Sequence, residues 1–123
     1  MMMTRASGET LAQAAALACE LWPGHAPEEL LAEWGALPPS ECVVFLAMED
    51  NAPAGFAQCQ LRRDYVEGTE TSPVGYLEGI YVREAFRGRG AATALLSACE
   101  DWARERGCTE FASDCELDNG GSL

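Results

Sequence analysis

The chain has 123 residues, of which 48% are hydrophobic and 23% charged, a composition typical of one soluble globular domain spanning residues 1–123. Its 20 acidic and 8 basic residues give a formal net charge of −12, which argues against a nucleic-acid partner because nucleic-acid recognition needs a basic face. An acidic surface instead favours a cationic substrate or partner, although simple solubility explains the charge of most acidic proteins.

The cysteines and the N-terminal apolar run indicate a cytoplasmic protein. The 6 cysteines lie within apolar stretches without C-x-x-C spacing, and His25 is the one histidine, so we expect free buried thiols and no metal. The run LAQAAALAC is short, is bracketed by Glu9 and Glu20, and has helical spacing, which argues against a signal peptide. No segment approaches the roughly 18 apolar residues of a membrane span.

The first half of the chain predicts two helices followed by a hairpin. We expect Ser7 to cap a first helix that ends at Pro23-Gly24, and PEELLAEW, residues 27–34, to form a second. The apolar run CVVFLAM and the alternating run FAQCQLR predict antiparallel strands at 42–48 and 56–62, joined by a turn at DNAPAG.

The second half predicts a strand, a long helix and a final strand. After a polar loop at 63–75, YLEGIYV predicts a strand at 76–82, Gly90–Arg106 a helix, and TEFASDC a strand at 109–115. A strand–helix–strand crossover places its two strands parallel. The expected fold is therefore α/β (α+β), with a mixed, mostly antiparallel sheet and one parallel pair.

The stretch FRGRGAATALL places two glycines and two arginines before the long helix, a pattern typical of phosphate binding. A P-loop would need G-K-[ST], and a dinucleotide fingerprint would need a third glycine where Thr93 stands. The pattern R-x-x-G-x-A, made by Arg87, Gly90 and Ala92, resembles the acetyl-CoA loop of the GCN5-related N-acetyltransferases. The remaining alternative is a helix entered through a solvated basic turn.

The resemblance implies that acetyl-CoA is the co-substrate. The backbone N–H groups of residues 88–93 would bind its pyrophosphate at the positive end of the helix. The residues predicted to contact the coenzyme are Ile80, Tyr81, Val82, Arg87, Gly88, Arg89, Gly90, Ala91, Ala92, Thr93 and Asn119.

Two acidic residues stand where strands should be apolar. Glu78 interrupts YLEGIYV, where strand alternation places it on the face of Tyr76, Ile80 and Val82, and Asp114 lies near the end of the next strand. Buried carboxylates need a cationic partner. The partner is either a substrate or an arginine in a structural salt bridge, for which the candidates are Arg62, Arg63 and Arg83.

Wider segments resemble the aminoglycoside 6′-N-acetyltransferase branch of the superfamily. LWPGH, SPVGYLEGIYV and SDCELDN carry this resemblance, which runs from Trp22 to Asn119. It implies acetyl transfer to the 6′-amine of a polycationic aminoglycoside, giving antibiotic resistance. It also implies that the substrate site consists of Trp22, Tyr65, Glu78 and Asp114.

The resemblance assigns a role to each catalytic candidate. The backbone N–H of Val82 would polarise the thioester carbonyl, and Glu78 or Asp114 would accept the proton that the amine must lose. The residues do not decide between the two acids. An acetyltransferase for a polyamine or peptide, and a coenzyme-A-binding module without activity, remain alternatives.

The family fold continues through a helix and a strand after DNGGSL, so the domain is expected to be C-terminally incomplete. Asn119 and Ser122 match positions that contact the coenzyme. A sheet edge left uncovered exposes unpaired N–H and C=O groups. Either the chain is truncated, or a partner chain covers this edge, in which case we expect a homodimer.

Overall fold

A computed structural model describes residues 1–64 and 66–113 of the chain. These residues form one five-stranded sheet with helices on both faces. In chain order the elements are β1 (Met2–Arg5), α1 (Glu9–Leu21), α2 (Pro27–Gly35), β2 (Cys42–Glu49), β3 (Ala52–Arg62), β4 (Val74–Val82), a single 3₁₀ turn (Glu84–Phe86), α3 (Ala91–Glu105) and β5 (Phe111–Ser113).

The strands lie in the order β1-β2-β3-β4-β5. The pairs from β1 to β4 are antiparallel, whereas β4 and β5 are parallel and connected by α3. The predicted mixed sheet, with its hairpin and its strand–helix–strand crossover, is therefore confirmed.

Each face of the sheet has its own apolar core. On one face α3 packs through Leu95, Cys99 and Trp102 against alternate residues of β2, β3 and β4. On the other face α1 and α2 cover Leu46 and Phe56. Every cysteine within the described ranges is free, and burial raises the pKa of the Cys42 and Cys108 thiols.

The N-terminal region differs from prediction in two respects. The strand Met2–Arg5 was not predicted, because four residues show no clear alternation and this strand depends on its pairing with β2. Ser7 does not cap α1: Gly8 is the N-cap residue, and the Ser7 N–H donates to Thr10 Oγ1 at 2.9 Å.

The hairpin turn is tighter than the DNAPAG stretch suggested. Asp50 and Asn51 have φ values of 50° and 66°, so these two residues make the turn and β3 starts at Ala52 instead of residue 56. Asx side chains tolerate this left-handed backbone, which suits two-residue hairpins.

The alternation of β4 breaks at Glu78. Leu77 pairs with Cys59 and Gly79 with Gln58, which leaves Glu78 as an extra residue in the strand. Leu77, Ile80 and Val82 consequently all face the α3 core. The predicted placement of Glu78 on the same face as Ile80 and Val82 is wrong, because a β-bulge turns Glu78 to the side of α1 and α2.

Candidate functional site

Gly88 and Gly90 give the loop before α3 its shape. Both have φ of 79°, and a Cβ built on either would meet no atom within 4 Å. The backbone conformation therefore favours glycine here, because a side chain at this positive φ is strained. The open space over both residues leaves the backbone accessible to a ligand.

The N-terminus of α3 lies directly behind these glycines. Gly90 is the N-cap residue, no side chain caps the helix, and the first turn contains no acidic residue. The first-turn N–H groups of a helix lack intrahelical acceptors and carry partial positive charge. Ala91 and Ala92 are buried whereas Thr93 is exposed, so the turn is anchored on one side and open on the other.

The two arginines of the loop have different contacts. Arg87 Nε donates to the Val82 carbonyl at 2.8 Å and fixes the loop to the end of β4. Arg89 is exposed, with Nη1 4.0 Å from Glu49 Oε2 and its guanidinium over the Phe86 ring. Both arginines place positive charge beside the open backbone.

The end of β4 presents backbone groups to the same region. The Arg83 N–H donates to the Ala54 carbonyl at 2.8 Å, so Arg83 faces β3. Because successive strand residues direct their backbone groups to opposite sides, Val82 and Ile80 face the edge away from β3. The Arg87 contact with the Val82 carbonyl lies on this edge.

Tyr81 belongs to the opposite face. Its hydroxyl donates to Glu20 Oε1 at 2.9 Å, and Glu20 also accepts from Arg83 Nη2 at 3.0 Å. Burial, followed by the hydrogen bond to Glu20, raises the pKa of Tyr81. These contacts tie the end of α1 to the end of β4.

A cavity of about 250 Å³ lies between α1–α2 and the sheet. Trp22 forms one wall, and its ring lies so close over Gly79 that a Cβ there would overlap with the ring. The Trp22 ring also meets Phe56 edge-on, with centroids 6.0 Å apart. The glycine of the bulge thus allows Trp22 to lie beside Glu78.

Glu78 lines this cavity and is paired with an arginine. Arg62 donates to both carboxylate oxygens at 2.8–3.0 Å, and the Glu78 side chain retains 19% of its exposure. The other two arginines proposed as structural partners bind elsewhere, Arg63 to Glu41 and Arg83 to Glu20.

The structure adds cavity residues that sequence analysis did not identify: His25, Leu30, Glu33, Trp34, Gln58 and Gln60. They come from α2, its preceding loop and β3, which are distant in sequence. One signal was available, because Gln58 and Gln60 are polar residues on the same side of an otherwise apolar strand.

The predicted residues are divided between two regions and an undescribed part. Glycines 88 and 90, the start of α3 and the end of β4 come together in the first region. Trp22 and Glu78 come together in the cavity. Tyr65, Asp114, Asn119 and Ser122 lie outside the described residues.

Within residues 1–64 and 66–113, no three histidine, cysteine or acidic side chains are grouped as metal ligands would be. No helix in these ranges has the length and apolar character needed to cross a membrane.

Comparison with known proteins identifies the family of the chain. The model of the acetyltransferase (GNAT) family matches residues 10–123. An aminoglycoside N(6′)-acetyltransferase type 1 of Salmonella typhimurium is 42% identical over 101 residues, which cover 81% of this chain and 70% of the relative. The type 1 enzyme of Stenotrophomonas maltophilia is 46% identical, over 80% of this chain and 65% of its own length.

Solved structures give the same result for the fold. AAC(6′)-Iy in complex with the bisubstrate analogue CoA-S-monomethyl-acetylneamine has a TM-score of 0.85 at 37% identity, covering 96% of this chain and 81% of that one. The apo structure of AAC(6′)-IG from Acinetobacter haemolyticus also has a TM-score of 0.85, at 40% identity, over 97% of this chain and 82% of that one.

Proposed function

The chain belongs to the acetyltransferase (GNAT) family, and we propose that it transfers the acetyl group of acetyl-CoA to the 6′-amine of an aminoglycoside. The observation that carries the proposal is that the single strand β4 contributes to two regions of different chemistry. At Glu78 the strand lines an acidic and aromatic cavity, and at Val82 it meets an open, positively charged glycine loop.

The glycine loop supports the coenzyme half of the proposal. Left-handed Gly88 and Gly90 precede a helix start without an acidic residue, which suits the pyrophosphate of coenzyme A. Arg87 and Arg89 add charge in a chain whose overall charge is −12. Asn119 is included in the proposal through the family resemblance alone.

The cavity supports the acceptor half. Glu78 and Glu33 can receive ammonium groups, while the Trp22 ring can cover the apolar face of a sugar. The cavity volume of about 250 Å³ is below the range of about 300–1,000 Å³ typical of sites that enclose a whole drug-sized ligand. We infer that one ring enters and the remaining rings stay outside. Tyr65 and Asp114 are included in the proposed acceptor site through the family resemblance alone.

The proposed reaction is direct acetyl transfer from the thioester to the amine. The neutral amine attacks the acetyl carbonyl carbon, an N–C bond forms, the C–S bond breaks and the coenzyme leaves as a thiolate. The Val82 N–H, on the open edge of β4, would stabilise the oxyanion. Glu78 or Asp114, through water, would accept the proton released by the amine.

Two features of the proposal concern the setting of the enzyme. A cytoplasmic location is supported by the free thiols of the described cysteines, since disulfides are rare in that compartment. A homodimer is supported by the edge strands β1 and β5, each of which has one neighbour among the described strands. Light scattering of the purified protein measures its oligomeric state directly.

The test of the proposed function is release of coenzyme A thiol from acetyl-CoA with kanamycin, with spermidine and without acceptor. We expect release that depends on kanamycin, together with a product acetylated at the 6′-amine by mass spectrometry. Preference for spermidine would indicate an acetyltransferase for another amine. Coenzyme binding without thiol release would indicate a binding module.

A further inference from the structure

Gln58 is a polar residue on the floor of the cavity. The residue retains 5% of its exposure, and it is the one residue that is both buried and polar or charged in the part of the chain that the structure describes. It lies in β3, between the apolar residues Ala57 and Cys59. A buried amide is costly unless its polar atoms have partners, so the contacts of Gln58 indicate its role.

Gln58 uses only its donor in the hydrogen bonds that the structure gives it. Nε2 donates to Gln60 Oε1 at 3.2 Å and to Cys42 Sγ at 3.5 Å. These two hydrogen bonds fix the orientation of the Gln58 amide, with Nε2 directed toward Gln60 and Cys42. The structure gives Oε1 no hydrogen bond from the residues that it describes, and Oε1 belongs to a side chain that lines the cavity.

The surroundings of Gln58 determine which ligand group fits it. Glu78 and Glu33 line the same cavity and repel anions, while the rings of Trp22 and Trp34 supply apolar walls. A hydroxyl or ammonium group of a sugar ring carries the N–H or O–H donor that Oε1 requires. A group that only accepts hydrogen bonds would find no complement at this position.

We propose that Gln58 is a substrate-binding residue that determines specificity, because its Oε1 accepts a hydrogen bond from one hydroxyl or ammonium group of the reacting aminoglycoside ring. This inference rests on the proposed function. In this proposal Gln58 forms the floor of the cavity whose walls include Trp22 and Glu78. It predicts that the enzyme distinguishes acceptors by a single substituent of that ring.

The experiment compares Gln58→Met with Gln58→Glu. Methionine keeps the volume but removes the acceptor, whereas glutamate keeps an acceptor oxygen at the same place. We expect Gln58→Met to bind kanamycin about tenfold more weakly by calorimetry, with a raised KM, a smaller change in kcat and unchanged acetyl-CoA affinity. Gln58→Glu should bind kanamycin within about threefold of wild type. Equal losses in both variants, or none in Gln58→Met, would overturn the inference.

Cys42→Ala is the matched control. It removes one partner of Gln58 Nε2, and Cys42 does not line the cavity. We expect wild-type kanamycin affinity. A loss equal to that of Gln58→Met would assign the effect to core packing and reject the contact.

Acceptor derivatives make the test independent of the folding of Gln58→Glu. Kanamycin derivatives that each lack one hydroxyl or amino group of the reacting ring are measured on wild type and Gln58→Met. One derivative should bind both proteins equally, because its missing group is the partner of Gln58. The same loss for every derivative would contradict the inference. If wild type neither binds nor acetylates kanamycin, the proposed function itself fails, whereas binding that is insensitive to Gln58 rejects this inference alone.

Discussion

The coenzyme loop and the acceptor cavity are built by different means. The loop consists of consecutive residues from Arg87 to Thr93, and its chemistry comes from backbone N–H groups and backbone angles. The cavity consists of side chains from the connection between α1 and α2, from α2, and from β3 and β4, which meet only when the sheet and helices assemble. A ligand site made from local backbone is visible in sequence, whereas one made from converging side chains is visible mainly in the fold.

The electrostatics of the two regions differ in the same way. The loop offers partial charges of a helix terminus and two arginines to an anion. The cavity offers full carboxylate charges, one of which is already paired with Arg62. An incoming ammonium group must therefore compete with Arg62 for Glu78. The first turn of α3 contains no acidic residue that would compete with a phosphate in the same way.

The largest expected effect is at the loop. Gly90→Asp should weaken acetyl-CoA binding at least about a hundredfold, because a carboxylate would occupy and repel the phosphate position. Gly107→Asp is the matched control, since Gly107 has φ of 86° and equally open surroundings beyond the end of α3. Both variants carry left-handed strain of about 1–2 kcal/mol and should melt at similarly lowered temperatures.

Calorimetry with acetyl-CoA separates ligand binding from strain in this pair. Gly107→Asp should retain wild-type affinity. If Gly90→Asp does too, the coenzyme does not bind at this loop and the distinction between the two regions is lost.

The sequence predicted most of the fold for identifiable physical reasons. The helical pattern of α3 and the apolar runs of β2 and β4 extend over many residues, which makes these elements easy to predict. The crossover through α3 makes β4 and β5 parallel. Met2–Arg5 was missed because a four-residue edge strand carries too little pattern. Glu78 was assigned to the wrong face because strict alternation cannot reveal a bulge.

The site was predictable to unequal extents. Gly88 and Gly90 were identified because positive φ and small size are properties of glycine itself. The pairing of Glu78 with Arg62 remained one of three possibilities, since it depends on the register between β3 and β4. Gln58 was missed because a polar residue in a strand has no distinctive meaning until a cavity is seen beside it.

The next largest effect tests whether Glu78 belongs to the acceptor site or to a structural ion pair. Glu78→Gln should weaken kanamycin binding roughly tenfold to a hundredfold, the value of a charge-assisted hydrogen bond of about 1.5–3 kcal/mol. Acetyl-CoA affinity should stay nearly unchanged, and the loss should diminish as salt increases. Asp114→Asn is expected to behave in the same way. Binding of kanamycin and of acetyl-CoA is measured by calorimetry in each variant.

Arg62→Met sharpens this test because it removes the competitor of the substrate. If Glu78 binds an ammonium group, the variant should bind kanamycin as well as wild type or up to a few-fold better. If the pair is structural, Arg62→Met and Glu78→Gln should both lower the melting temperature without changing kanamycin affinity. That second pattern would remove Glu78 from the acceptor site.

The smallest effect concerns a carboxylate that fixes the polar loop before β4 near the start of β5. Glu110 accepts hydrogen bonds from the Thr71 hydroxyl and from the N–H groups of Glu70 and Thr71, and these bonds lower its pKa. Because the folded-state pKa lies below the unfolded value, the stabilisation is present above the unfolded pKa. It is lost as pH falls through the folded pKa.

Glu110→Gln should therefore lower the free energy of unfolding slightly at neutral pH and match wild type below the folded pKa, in urea titrations at both pH values. Glu67→Gln is the control, because Glu67 is exposed in the same loop and its carboxylate accepts no hydrogen bond from the described residues. A difference between Glu110→Gln and wild type that persists in acid would show that the loop does not depend on the ionised carboxylate.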